Sequence, residues 1–260
     1  MDKHKFETEF SDFLSILKQY VSDESKNWKI KGFIDIHKNI FTISTDTKII
    51  SKILEIHIFP IISRFAFEKG FNLVLASHQN YYPDMSFVFV ENPSIKYAVD
   101  IKTTYRKSDN KCNGFTLGSH GEYFINRTSN KNIQFPYNEY KAHYCLGIIY
   151  SRNDVIDEIN MFNISELDSI ESVIKNIDFF FIEKWKIASD RSGSGNTANI
   201  GSITRIEDII NGNGVFKDYG EEIFDAYWMN YNKITVSTTD GRTKKISTLK
   251  EYLKYIGREI

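Results

Sequence analysis

Phe6, Phe10, Phe13, Leu14 and Leu17 recur at i, i+4, i+7, i+8 and i+11, one apolar stripe at helical period, which predicts an amphipathic first helix. After a polar stretch at 22–27, apolar and polar residues alternate over 29–35 and again in Phe41-Thr42-Ile43, the pattern of a hairpin of half-buried strands. Thr45 or Asp46 is placed to cap a long helix running to about Lys69. Its core face is Ile49, Ile50, Ile53, Leu54, Ile58, Ile61, Ile62 and Phe65, and Gly70 stops it. Strand patterns follow at 71–76, 86–91 and 96–105, separated by turn-rich segments that hold Asn80, Pro83, Asn92 and Pro93. Two more strands are read at 144–150 and, long and aromatic, at 177–188, with helices near 221–231 and 248–256. The succession predicts an α/β (α+β) fold, a mixed β-sheet flanked by helices.

Composition narrows the class. With 260 residues, 41% of them hydrophobic, the chain can bury its own core without disulfide or metal staples, and 1–260 is read as a single domain. No segment repeats at a fixed period, so solenoid and collagen-like readings fall away. The mixed-charge opening Met1-Asp2-Lys3-His4-Lys5-Phe6-Glu7 lacks the apolar core of a secretory signal, and no run approaches the roughly 18 apolar residues of a membrane span, so a cytoplasmic protein is expected. Cys112 and Cys145 form no CxxC pair and read as free thiols. Lys plus Arg at 33 against Asp plus Glu at 34 gives a net charge of -1, so any contact with nucleic acid must use local patches.

The candidate chemistry is a set of carboxylates on predicted strands. Asp84 follows Pro83 at the start of one strand, and the next carries Asp100-Ile101-Lys102, whose Asp and Lys share a face while Val99 and Ile101 face away. If the two strands pair, Asp84 joins them. Two carboxylates about 4 Å apart repel by about 4 kcal/mol at an effective dielectric of 20, so such a pair wants a cation. Magnesium suits it, because it takes a few carboxylate oxygens and keeps waters for substrate phosphate and nucleophile. Lys102 then adds an ammonium able to stabilise a pentavalent phosphorane-like transition state or to assist the attacking water. An ordinary exposed Asp–Lys pair on a half-buried strand is the competing account. Cys112, His120, His143 and Cys145 lack the tight spacing of zinc sites, and His143 and Cys145 fall in an apolar strand, as a satisfied core histidine and a buried thiol would. No GxSxG signature marks a serine nucleophile.

Pro83-Asp84 followed by Asp100-Ile101-Lys102 resembles the PD-(D/E)xK nuclease superfamily. The surrounding blocks resemble, more closely, the EcoRV family of type II restriction endonucleases. They are Asp46-Thr47-Lys48, Gln79-Asn80-Tyr81-Tyr82-Pro83-Asp84, Ala98-Val99-Asp100-Ile101-Lys102-Thr103-Thr104-Tyr105, Phe115-Thr116-Leu117-Gly118 and Gly193-Ser194-Gly195-Asn196-Thr197-Ala198-Asn199-Ile200-Gly201-Ser202. The resemblance implies a U-shaped homodimer, its N-terminal part mainly for dimerisation, that clasps double-stranded DNA and hydrolyses one phosphodiester per strand with Mg2+. The implied site is GATATC, cut at its centre to leave blunt ends with 5′ phosphates, with a cognate methyltransferase acting on the same sequence.

By the same resemblance Asp84 and Asp100 hold the metal, Lys102 is the catalytic lysine, and Glu55 is a further catalytic and metal-binding acid, against a plain solvated helix position. Gly193, Ser194, Gly195, Asn196 and Thr197 match the loop that reads base edges in the major groove, supported by Asn199; on the residues alone this is a flexible surface loop. Gln79 and Asn80 match a loop at the minor groove, against a plain turn. Thr103, Thr104 and Lys48 match positions at the DNA, while Asp46 is equally a helix cap. Tyr81 stands where the family has histidine, Met229 where a basic residue is expected, and the segment from Gly118 to Asn132 is longer. Two rival functions remain at this point, a sequence-specific DNA-binding protein without catalysis and a structure-selective repair nuclease.

Overall fold

The computed structural model describes residues 1–78, 80–153, 159–193, 198–237 and 242–258. The Asp2 side chain accepts a hydrogen bond from the Lys5 amide and starts helix α1 (Lys3–Val21), whose predicted stripe is buried at Phe6, Phe10, Phe13 and Leu17. Strands β1 (Gly32–Ile34) and β2 (Asn39–Thr42) form the expected antiparallel hairpin. Helix α2 (Thr47–Glu68) follows, and Asp46 rather than Thr45 is its cap, its Oδ1 accepting from the amides of Lys48 and Ile49. The core face of α2 is as predicted except at Ile49, which is exposed in the first turn.

The strands β3 (Phe71–Leu75), β4 (Met85–Phe89) and β5 (Lys96–Ser108) form an antiparallel run extended by the short β6 (Lys111–Cys112). After β7 (Thr116–Ser119) and a single turn α3 (Glu122–Ile125), β8 (Ala142–Arg152) returns beside β5 in parallel, pairing Asp100 with Cys145 and Lys102 with Gly147. Beyond β9 (Met161–Asn163), which adds to the β1–β2 hairpin, β10 (Ile174–Glu183) closes the main sheet, in the order β10-β8-β5-β4-β3. The sheet is therefore mixed, as the pattern predicts.

The long aromatic strand expected over 177–188 is instead two strands. β10 stops at Glu183, a 3-10 turn occupies Lys184–Ile187, and β11 (Ala188–Ser192) leaves for a second small sheet with β12 (Asn199–Ser202) and β7. Glu183 is buried and ion-paired with Lys3 and Lys186, which anchors the corner where the chain changes sheets. Helices α4 (Ile206–Ile210) and α5 (Gly220–Asn230), the hairpin β13 (Thr235–Ser237) with β14 (Thr243–Lys245), and α6 (Leu249–Tyr255) complete the described chain.

The two faces of the main sheet bury different cores. Tyr97, Val99, Tyr144, Leu146 and Ile148 face α1 and α2, where the Phe6 ring stacks on Tyr97 at 4.2 Å and Phe10 on Phe181 at 3.9 Å between centroids. Ala98, Cys145 and Ile149 face the other way, into a core shared with β7, β12, α5 and α6. This alternation fixes the side to which Asp100 and Lys102 point. Gly147 stands beside Lys102 because the Phe180 ring lies over it: a Cβ there would fall 1.8 Å from the ring. Gly147→Ala should destabilise the fold by about 3 kcal/mol, since that ring is itself buried, and urea unfolding compared with wild type measures it.

Candidate active site

Strand pairing places Asp84 next to the Asp100 strand. Asp84 directly precedes Met85, which pairs with Val99, and the Asp84 Oδ2 accepts a hydrogen bond from the Ile101 amide at 2.7 Å. Its carboxyl also reaches that of Asp100, and Lys102 Nζ lies 2.6 Å from Asp100 Oδ2. Asp84, Asp100 and Lys102 thus converge at one cleft of about 310 Å³, with Asn80, Tyr82, Gly118, Ser119, Glu122, Tyr123 and Asn199 also on its walls.

The electrostatics of the pair follow from its burial. Desolvation and the neighbouring Asp100 push the Asp84 carboxyl up to about 7, against the opposing pull of Lys102 and the Ile101 amide. Burial disfavours the Lys102 ammonium, but the attraction of Asp100 and Asp84 outweighs it and holds the amine above its ordinary value. One lysine therefore does not neutralise two desolvated carboxylates. Among the described residues no three His, Cys, Asp or Glu side chains gather into a metal-binding group. Two carboxylates that leave the remaining positions to water and substrate form a hard oxygen donor set, which fits a magnesium-like cation and does not fit zinc.

Glu55 belongs to a different cleft. It projects from α2 on the far side of the main sheet and pairs with Lys52 at 2.8 Å, in a groove of about 410 Å³ that also includes Phe59, His78 and Ile101. Asp84 borders both clefts, so it is the one carboxylate that Glu55 and Asp100 share. Lys48 is exposed in the first turn of α2 and borders neither. Thr104 is buried and its hydroxyl donates to the Asn113 carbonyl at 2.7 Å. Thr103 is half-buried and points to the opposite face from Asp100, Lys102 and Thr104.

The loop at 194–197, comprising Ser194, Gly195, Asn196 and Thr197, and Gln79 lie outside the described residues. Both ends of that loop are held. The Gly193 amide donates to the Asn199 carbonyl at 2.9 Å, and Asn199 pairs with Ser119 across β12 and β7. Gly193 packs so closely on Thr116 that a Cβ would meet its methyl at 2.6 Å. The loop therefore leaves and rejoins the fold beside the cleft, where Asn80 stands on another wall. Lys52, Ser119, Glu122 and Tyr123 also line these clefts, beyond the residues expected from the sequence. For Lys52 the i,i+3 spacing to Glu55 was a readable signal; the others gave none, because they reach the cleft only through the β7–β12 pairing.

A family model described as Restriction endonuclease EcoRV matches residues 24–257. The Type II restriction enzyme EcoRV of Escherichia coli is 37% identical over 238 residues, which cover 91% of this chain and 94% of that one. The chain belongs to the EcoRV restriction endonuclease family. It is accordingly a type II site-specific deoxyribonuclease, a hydrolase of DNA phosphodiester bonds. The NlaIV restriction endonuclease aligns over 97% of this chain and 90% of its own, at a TM-score of 0.43 and 12% identity, too distant to add to the assignment. No helix among the described residues is long and apolar enough to cross a membrane.

In this EcoRV-family chain the raised Asp84 carboxyl makes stability depend on pH. Between the ordinary aspartate value of 3.8 and about 7, the folded chain keeps a proton that the unfolded chain has released. Asp84 therefore favours the fold in acid, and that contribution is lost as pH rises through about 7. Asp84→Asn should be more stable than wild type at pH 8 in EDTA, by of the order of 2 kcal/mol, with the gain vanishing toward pH 4. Thermal melts across this range check it; a difference that does not change with pH would detach Asp84 from the linkage.

Proposed function

We propose that this enzyme hydrolyses double-stranded DNA with Mg2+ at GATATC, cutting at the centre to leave blunt ends with 5′ phosphates. The observation that carries the reaction chemistry is the convergence of Asp84, Asp100 and Lys102 at one cleft, with Lys102 bonded to Asp100 at 2.6 Å. Mg2+ held by Asp84 and Asp100 would supply Lewis-acid polarisation of the scissile phosphate and an activated water. Lys102 brings a fixed ammonium to the same wall, where it stabilises the additional negative charge of the transition state. The Ile101 amide holds Asp84 in place, and the stacked rings of Tyr82 and Tyr123 form an aromatic wall of the cleft.

The specificity rests on the match of Gly193 to Thr197 to the family's base-reading loop, with its ends pinned beside the cleft, and on Gln79 and Asn80 as the approach to the minor groove. Thr103 and Lys48 are proposed as outlying DNA contacts. Glu55, on the opposite side of Asp84 and paired with Lys52, is proposed as an accessory acid and not as a ligand shared with Asp100.

A palindrome is read by a two-fold symmetric protein, so the working form is proposed to be a homodimer. The face that supports this lies on the β1–β2–β9 sheet. Phe33, Phe41 and Met161 are cross-strand neighbours in one row, and all three are exposed. A contiguous apolar row of this kind fits burial against a second copy. A cognate methyltransferase would protect the same sequence in the host.

Digestion of a DNA of known sequence, with magnesium and with EDTA, followed by mapping of the ends, tests the reaction. Blunt cuts at GATATC only with magnesium are expected, and Asp100→Ala should lose at least about 100- to 1,000-fold in rate with its fold intact. Discrete cuts elsewhere would sink the specificity while keeping the nuclease. Phe33→Glu combined with Met161→Lys should convert the protein to monomers in sedimentation velocity and abolish double-strand cleavage; an unchanged dimer would place the interface elsewhere.

A further inference from the structure

Behind the cleft the structure buries a charge that the reaction leaves without a task. Lys184, at the start of the 3-10 turn after β10, is 3% exposed, and its ammonium finds no hydrogen-bond partner and no carboxylate in ion-pair range among the described residues. It sits over three rings instead, 4.8 Å from the centroid of Tyr82, 4.7 Å from Tyr137 and 5.3 Å from Phe124. Burial pushes the amine down to about 8, although Asp225 and Asp100 act to raise it.

Cation–π attraction recovers only part of what desolvating an ammonium costs, so a methionine of similar length would suit this position better for stability alone. A residue that works against stability directly behind a candidate active site points to function. The ring it holds is the informative one. Tyr82 borders the cleft, stacks on Tyr123 at 5.3 Å between centroids, and bonds through its hydroxyl to His143 Nδ1 at 2.9 Å. Its backbone is clamped as well, the amide donating to the Asn132 carbonyl and the carbonyl accepting from the Gln134 amide. One residue, Pro83, separates it from Asp84.

We propose that Lys184 is a positioning residue for DNA hydrolysis, seating Tyr82 from beneath by cation–π attraction and so setting where the Asp84 carboxylate stands in the cleft. This rests on the reading of Asp84 as a metal-holding group. Lys184 touches neither DNA nor metal and acts through Tyr82. His143, hydrogen-bonded to Tyr82 and stacked on Tyr137 at 3.7 Å, keeps that ring from turning away from the ammonium.

The test is Lys184→Met in the full-length protein, by single-turnover cleavage of a GATATC duplex with magnesium over a range of enzyme concentrations, beside a thermal melt. The maximal rate should fall about 10- to 100-fold, as expected for a carboxylate displaced by a fraction of an ångström to an ångström. The half-saturating concentration should stay within about threefold of wild type, and Tm should be unchanged or higher. Added to Tyr82→Leu, Lys184→Met should slow the enzyme no further, since both act on one element. A maximal rate within twofold of wild type overturns the proposal. So does a fall in Tm or a loss of DNA affinity that accompanies the rate loss, because either makes the ammonium structural or DNA-binding. Failure of the metal-site reading is distinguishable: Asp84→Asn would then cleave normally, whatever Lys184→Met does.

Discussion

Two carboxylates held together in a partly desolvated cleft, with one ammonium to balance them, form the constraint on which the remainder of this structure depends. Left in water, Asp84 and Asp100 would repel and separate. The fold prevents this by fastening Asp84 to the Ile101 amide at 2.7 Å and Asp100 to Lys102 at 2.6 Å. Burial then raises Asp84 to about 7 and leaves the pair short of positive charge. Under the proposed function this is the pair that would hold a hard cation, whose charge would relieve the repulsion the fold now contains.

Holding the pair in place requires a sheet that behaves differently on its two faces. β5 alternates Tyr97 and Val99 into the core beneath α1 and α2 with Ala98, Asp100 and Lys102 on the other side. The parallel partner β8 keeps that side clear by placing Gly147 beside Lys102, under the Phe180 ring. The same two-sidedness sets Glu55 apart from Asp100, since α2 covers the opposite face and Glu55 lines a groove there with Asp84 and Ile101. The acid that the family resemblance groups with the other two thus shares a groove with Asp84 and not with Asp100.

The second small sheet gives the cleft its outer wall. β11 and β12 carry the two ends of the loop at 194–197, and β12 pairs with β7, so Gly118, Ser119 and Asn199 stand across from the carboxylates. That wall exists because β10 stops at the buried Glu183, where ion pairs to Lys3 and Lys186 turn the chain out of the main sheet. The next residue, Lys184, goes inward beneath Tyr82. One corner thus serves both the strand that leads into residues 194–197 and the floor behind Asp84 and Asp100.

Much of this was legible in the sequence. The helical stripe of Phe6, Phe10, Phe13 and Leu17, the cap at Asp46, and the alternation that puts Asp100 and Lys102 on one face are local properties, set by periodicities of 3.6 and 2 and by hydrogen bonds spanning three residues. They survive folding because nothing distant competes with them. The family was legible too, through ordered blocks from Asp46 to Ser202, and the matched residues 24–257 agree with it. What the sequence alone could not decide are the relations between segments far apart in the chain. The separation of Glu55 from Asp100, the bond of the Thr104 hydroxyl to the Asn113 carbonyl, the break of the aromatic strand at Glu183, and the burial of Lys184 among Tyr82, Phe124 and Tyr137 were set by tertiary structure. Each depends on which strand pairs with which and on which face a helix covers, and those choices are made by core packing between residues that no local pattern connects.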